Sequence, residues 1–501
     1  MAHRFLAKQE KADPQAPGQP GHPSAVVVGG GVSGLIAARD LLRAGISVTV
    51  LEASPRFGGC VGRHEVAGIR LDSGAESFAT RSTAVPELIE ELGLAPDVVL
   101  PNPAGSWLQL SAEDLPAGAQ PMPASGILGI PADPREPDIA RALGRVGAAR
   151  AALDKVLPVG SLSRRESMSL GELVRTRMGD AVLRRLVAPV VGGVYSSDPE
   201  VLDVDSVAPG LRAAVARHGS LGAAVGAMRS AAPAGSAVAG LDGGMGRLSE
   251  ALVSDLAEAG ARLLTGARAD SLVRGTAGWQ VRFTDGSGVQ EIAADAVVVA
   301  ADGPASVDLL STALPEAAAY RPAPGPGVAL VTLVVDLPDL DAMPRGTGVL
   351  VARDVEGVDA KALTHATAKW QWLADSTGPG THVLRLSYGR AQSPEDAAAE
   401  PSQVDRPDED LFRQAVADAS ALLQVGIGAD DVVGWDVVRW VGALPSATVG
   451  HKERVAAVRA AVAEVPGLEA VGAWLAGTGL AAVTADTRTR IAALAGALGS
   501  V

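Results

Sequence analysis

The sequence is poor in the residues that most often carry chemistry or staple a fold. It has one cysteine, Cys60, in 501 residues, which excludes an internal disulfide framework and suits a reducing compartment. Its local neighbours of note are only Arg63 and His64, so Cys60 reads as a small buried residue, not a reactive thiol. Seven histidines (His3, His22, His64, His218, His365, His382, His451) are scattered without H-x-x-x-H spacing, and no metal site is expected. Aromatic residues make up only 3%. No apolar run approaches the roughly eighteen residues of a membrane span. Basic residues are also outnumbered: 43 against 57 acidic give a net charge of −14 with no dense basic face, so no nucleic-acid partner is expected.

What is present is a globular balance, 47% hydrophobic and 20% charged, which excludes a largely disordered chain. The length suits two or three domains with sizeable cores. Residues 1–23, rich in Pro, Gln, Gly and Lys, have no apolar core segment and read as a disordered leader, not a secretion signal.

Residues 25–52, AVVVGGGVSGLIAARDLLRAGISVTVLE, organise the rest. A short β-branched run leads into Gly29, Gly30 and Gly31, then Val32 and Ser33, then Gly34. Helical spacing of Val32, Leu35, Ala38 and Leu42 follows, and a second strand delivers Glu52. The first glycine of a G-x-G-x-x-G turn makes the tight bend, the second lets backbone approach a pyrophosphate, and the third lets helix pack on strand. The helix N-terminus then faces the phosphates. Glu52 is placed to bind ribose hydroxyls and would repel a 2′-phosphate, so FAD or NAD is expected and NADP is not.

A second glycine turn follows at Ala53, Arg56, Gly58 and Gly59, where backbone can pass close to a longer cofactor with Arg56 near its diphosphate. In the loop Gly74, Ala75, Glu76, Ser77, the small residues leave room for an isoalloxazine ring. A helix is predicted over 86–94, hairpins and loops over 96–137, and helices over 139–157 and 169–187. The arginines of that region (Arg164, Arg165, Arg175, Arg177, Arg184, Arg185) read as solvated helix faces. Residues 190–198, with Gly192 and Gly193, read as a loop. A glycine turn at 239–248 opens a helix over 248–260; strands are predicted over 262–272, 279–283 and 295–300. Strands over 328–335, 348–352, 363–369 and 382–388 suit an antiparallel sheet, 395–410 reads as an acidic linker, and a helix follows over 411–424. A strand over 468–474 leads to Thr478, Gly479 and Leu480, a turn opening the last helix, whose N-terminus suits the electron-rich edge of a flavin.

GGGVSGL with EASPRFGG, GGMGRL and VGAWLAGTGL resemble the FAD-dependent amine oxidase and phytoene desaturase superfamily. Within it, LDSGAESF, VVGGVYSSDPEVLDV and VRWVGALPSATVGH resemble bacterial protoporphyrinogen or coproporphyrinogen oxidases, from Ser24 onward. The resemblance implies an α/β, Rossmann-like FAD-binding domain interleaved with an α+β substrate domain made of an antiparallel sheet and a helical portion. The expected division is FAD-binding parts at 24–90, 236–310 and 431–501, and substrate parts at 91–235 and 311–430. It implies FAD contacts at Gly29–Gly34, Glu52, Ala53, Arg56, 74–77, Trp440 and 478–480. Ala269 stands where the family has a valine that touches adenine through its backbone. Gly193 matches a backbone carbonyl facing substrate, and Arg81 is a candidate for substrate carboxylates. Where relatives carry a polar neighbourhood, this chain has Pro445 and Ser446.

The implied reaction is six-hydrogen oxidation of a tetrapyrrole porphyrinogen by dioxygen, giving hydrogen peroxide, in haem biosynthesis. A porphyrin metal chelatase is the implied acceptor of product, with a cytoplasmic location that leaves room for peripheral membrane contact. Coproporphyrinogen III is preferred because it is the more water-soluble candidate and no anchor is evident. Arg-over-Lys, Ala/Gly-rich usage, resembling high-G+C Gram-positive bacteria, points the same way. Protoporphyrinogen IX, an amine substrate, or a non-catalytic FAD-binding scaffold are the alternatives.

Overall fold

The computed structural model describes residues 22–115, 118–123, 126–160, 165, 167–230, 237–325, 327–390, 402–442 and 447–499. Most of the leader and the pair Pro445 and Ser446 therefore lie outside the described residues.

β1 (Ser24–Val28), α1 (Val32–Arg43) and β2 (Ser47–Glu52) form where the glycine pattern places them. β1 is central in a five-stranded parallel sheet, ordered Arg262–Thr265, β2, β1, Ala296–Val299, Leu468–Ala470. Its middle strands are buried on both faces, which is why they read as unbroken valine runs and do not alternate. One face packs against α1, Gly246–Glu258 and the terminal helix Leu480–Leu498. The other packs against a three-stranded antiparallel sheet, Arg268–Gly275, Gly278–Asp285 and Gly288–Ala294, through Trp279, Val281 and Phe283. The α/β, Rossmann-like unit interleaved with an antiparallel-sheet unit is thus the observed architecture.

The second unit is a seven-stranded sheet ordered Val432–Trp440, Val328–Asp336, Thr381–Tyr388, Ala362–His365, Gly348–Val351, Trp107–Gln109, Ala119–Pro121. All neighbours are antiparallel except Gly348–Val351 with Trp107–Gln109. Helix Asp408–Leu423 covers one face through Leu411, Ala415, Ala419 and Leu422. A helical bundle from 137 to 230 has its own core. Strand Val432–Trp440 pairs with Val328–Asp336, so the segment from 431 begins in this sheet before it crosses to the parallel one.

Several elements differ from expectation for local reasons. Residues 188–195 are helix, not loop, because Gly193 lets the helix lie against Leu350: a β-carbon there would sit 2.7 Å from Leu350 Cδ2. The run over 262–272 breaks at Gly266 (φ +62°) into strands of two different sheets. The strand expected to reach Lys369 ends at His365 and continues as a helical turn, Ala366–Lys369. The strand expected over 468–474 stops at Ala470 and gives way to the turn Ala473–Ala476. Helix 137–152 kinks at Gly144 (φ +67°), and the helix expected over 169–187 is interrupted at Gly179 (φ +92°).

The arginine cluster is not all solvated face. Arg177 is 1% exposed: its Nε donates to Asp154 Oδ1 at 2.6 Å, and its other nitrogens donate to the carbonyls of Asp154, Leu157, Pro158 and Gly219. Asp154 in turn accepts from Gly222 N. Arg185 pairs with Asp114 in a partly buried site. Arg164 lies outside the described residues. Asp154→Ala should leave the Arg177 guanidinium buried without its carboxylate and destabilise the helical bundle by roughly 3–5 kcal/mol, measured by urea unfolding.

Candidate functional site

Strand β1 ends where Gly29 (φ +107°) turns the chain, and Gly29 N donates to Leu51 O at 2.8 Å. A β-carbon on Gly34 would stand 1.8 Å from Gly29 O, so helix and strand meet at backbone contact distance. At Gly31, the N-cap of α1, a β-carbon would meet nothing within 4 Å: the position opens into space, and no side chain caps the helix. The first N–H groups of α1 therefore retain their donor capacity. The N-cap of the terminal helix, Gly479, also has no side-chain cap. Ser33 Oγ lies 2.9 Å from Thr487 Oγ1, which ties the two helices side by side.

Both N-termini border one cavity of about 440 Å³. Of the expected cofactor residues, Gly29, Gly31, Val32, Ser33, Glu52, Ala53, Gly58, Gly59, Ala269, Trp440, Thr478 and Leu480 line it. Glu52 accepts from Gly30 N at 2.6 Å and Ser54 N at 2.7 Å, which holds its carboxylate at the cavity edge. Gly58 N donates to Gly30 O at 2.8 Å, joining the two glycine turns. Gly30 and Gly34 are buried behind the wall, Gly479 is exposed between the lining residues Thr478 and Leu480, and Arg56 is exposed, donating to Arg63 O.

The fit to a dinucleotide rests on this cradle. Two uncapped helix ends suit anionic groups, Glu52 suits hydroxyl donors, and bare glycine backbone leaves the approach open. A further sign is the indole of Trp474, which lines the cavity at 4% exposure with its Nε1 unpartnered.

The loop 74–77 sits behind the cavity. Ala75 N donates to Cys60 O at 2.8 Å, and a β-carbon on Gly74 would come within 2.2 Å of the same oxygen. Cys60, expected to be buried, is exposed and lines the cavity. Trp440 Nε1 donates to Ser73 O at 2.7 Å. The Glu76 carboxylate is occupied by Lys369 and by Arg385, whose Nη2 lies 3.0 Å from Oε2. Burial pushes the Glu76 carboxyl up, but Lys369 and Arg385 together outweigh it and hold it at about 2. Nearby Asp72 is pushed up to about 6 by burial, although Met245 N and Gly246 N donate to it. Ser77 is half-buried.

Two expected substrate residues are not brought to the cavity lining. Gly193 lies in the last turn of helix Ala188–Tyr195, and Arg81 is exposed beyond strand Phe78–Ala79. Sequence reasoning missed Arg268, Asp302, His451 and Trp474 on the lining, and Lys369 and Arg385 behind it. His451 carried a signal in its GH motif; its imidazole pKa is lowered, chiefly by burial. Among the described residues, no group of three or more His, Cys, Asp or Glu could hold a metal ion, and no helix is long and apolar enough to cross a membrane.

Residues 32–484 match the family of flavin containing amine oxidoreductases. The chain is 31% identical to coproporphyrinogen III oxidase of Propionibacterium freudenreichii, covering 93% of this chain and 90% of that one. It is 32% identical to coproporphyrinogen III oxidase of Mycobacterium leprae, covering 93% and 97%. A solved structure from Exiguobacterium sp. 255-15, provisionally named a protoporphyrinogen oxidase, superposes with a TM-score of 0.78 at 27% identity, covering 94% of this chain and 98% of that one.

Gly34→Ala should force helix from strand, with an overpacking cost of about 1–3 kcal/mol or more. The purified variant is expected to lose its flavin absorbance and melt at lower temperature. A second expectation concerns acid. The folded state holds Glu76 at about 2 against an ordinary 4.5, so its contribution is full above pH 4.5 and is lost as pH falls toward 2. That contribution is on the order of 3 kcal/mol. Glu76→Gln should flatten the urea-unfolding stability profile over this acid range.

Proposed function

Because the chain belongs to the flavin containing amine oxidoreductases, and to the coproporphyrinogen and protoporphyrinogen oxidases among them, we propose that it oxidises coproporphyrinogen III to coproporphyrin III. The enzyme is an FAD-dependent oxidoreductase. In the proposed reaction three dioxygen molecules accept six hydrogens and leave as three hydrogen peroxide molecules. The observation that carries this reading is identity of 31–32% to coproporphyrinogen III oxidases, together with a dinucleotide cradle at the matching motifs.

FAD supplies a two-electron acceptor that dioxygen can regenerate. The chain's own contribution is to hold and orient. The N–H groups of α1 and the terminal helix would hold the cofactor's anionic and electron-rich parts, and Glu52 would take the ribose. Residues 53–59, the 74–77 loop, Ala269 and Trp440 complete the grip in this reading. A methylene bridge between pyrroles is already an activated hydride donor, so positioning and exclusion of water do most of the work. Pyrrole N–H protons leave to solvent, so no strong general base is needed. Gly193 is assigned to face the substrate through its carbonyl, and Arg81 to attract a substrate carboxylate.

Protoporphyrinogen IX is the second reading, favoured by 27% identity to the chloroplastic protoporphyrinogen oxidase of Oryza sativa over 93% of this chain. The purified protein should show a bound-flavin spectrum and oxidise coproporphyrinogen III aerobically, followed by porphyrin fluorescence, with about three peroxides per porphyrin. Faster oxidation of protoporphyrinogen IX would reverse the substrate order. Oxidation of an amine, with both porphyrinogens no faster than the enzyme-free blank, would sink the tetrapyrrole assignment.

A further inference from the structure

Four hydrogen bonds from the seven-stranded sheet unit converge on residues 72–76. Arg385 Nη1 donates to Gly74 O at 2.9 Å and to Asp72 O at 3.4 Å, while its Nη2 pairs with Glu76. Lys369 Nζ takes the other Glu76 oxygen, and Trp440 Nε1 takes Ser73 O. All three donors come from the seven-stranded sheet or the helical turn attached to it.

Neither cation is loosely placed. Arg385 stands mid-strand, in register with Thr332 on one side and Thr364 on the other. Lys369 ends the turn Ala366–Lys369, whose carbonyl accepts from Asn102 N at 2.9 Å, and its ammonium lies 5.2 Å from the Trp370 ring centroid. The side chains of Lys369, Arg385 and Glu76 are 18%, 15% and 14% exposed, so solvent screens them weakly. From Gly74 and Ala75 the contact passes directly to Cys60 O, and Cys60 lines the cofactor cavity.

We propose that Lys369 and Arg385 are positioning residues for the flavin site: through Glu76 and Gly74 they fix the cavity wall, and their charge favours the electron-rich, reduced flavin. This rests on FAD occupying the cavity, as in the function proposed above. A cation fixed in a weakly screened position stabilises negative charge that develops on reduction. Glu76 opposes that effect in part, so its carboxylate both locks the two cations and moderates them. The fourth charged group is Asp72, whose backbone oxygen Arg385 touches.

The test uses the full-length holoprotein at pH 8, where Asp72 is ionised, and reads the flavin midpoint potential by dye-equilibrated photoreduction alongside FAD affinity and circular dichroism. Lys369→Met should lower the potential and weaken FAD binding roughly tenfold, the scale of one charge-assisted hydrogen bond. Lys369→Arg, which keeps the charge and can still reach a carboxylate, should restore both. Glu76→Gln should raise the potential, opposite in sign to Lys369→Met, while loosening the wall as Lys369→Met does. Potentials that move together, or do not move, in folded flavin-bound variants overturn the proposal and leave the function above intact. A wild-type protein that binds no FAD overturns the cofactor reading and this proposal together.

Discussion

The structure depends on one close approach: the carbonyl of Gly29 occupies the space that any side chain at position 34 would need. Because helix α1 rests on strand β1 at backbone distance, its uncapped N-terminus is aimed past Gly31 into open space. The terminal helix is registered against α1 by Ser33 and Thr487, so its own bare N-terminus opens onto the same cavity from the far end of the chain. Glu52 reaches back to Gly30 N and closes the turn from the other side. A single added methyl group at residue 34 would disturb all of these relations, since each is measured from the same strand–helix contact.

Two carboxylates four residues apart show how position within this frame decides chemistry. Asp72 and Glu76 are both half-buried, and the loss of solvation alone pushes each toward the protonated form. Asp72 is met mainly by backbone N–H groups at the start of helix Gly246–Glu258 and stays high, near 6. Glu76 is met by two full cations and falls to about 2. Sequence spacing does not distinguish them; the partners do. The same logic holds behind α1, where Arg39 is 2% exposed and pairs with Glu91 and Asp255, and Glu91 also takes Arg43 and Arg488. Four helices are thereby joined through charges that sequence inspection places on unrelated segments.

The glycine turns at 29–34 and 477–480 were legible because their role is local: a tight bend, a strand before it and a helix after it can be read within about thirty residues. The valine strands were legible for a similar reason, their burial on both faces leaving an unbroken apolar run. The helix at 188–195 was not, since Gly192 and Gly193 signal a turn until Leu350, far along the chain, is seen to need the space. Lys369 and Arg385 were invisible for a stronger reason. Their partner Glu76 is about three hundred residues away, and nothing in either neighbourhood marks an ion pair of that range. Arg177 reads as one more surface arginine, yet it is buried against Asp154 and four backbone carbonyls.

The parallel sheet draws its five strands from residues 24–28, 47–52, 262–265, 296–299 and 468–470. On a ribosome this order has a cost in time, since domains generally fold as they emerge from the N-terminal side. The first two strands are made early, but the edge strand at 468–470 and the helix that lines the cavity beside α1 follow only after the residues between them have been made. Meanwhile the valine-rich edge of β1 faces no parallel neighbour until residue 299 has been made. Until residues 468–498 have been made, the chain therefore carries an unfinished nucleotide site.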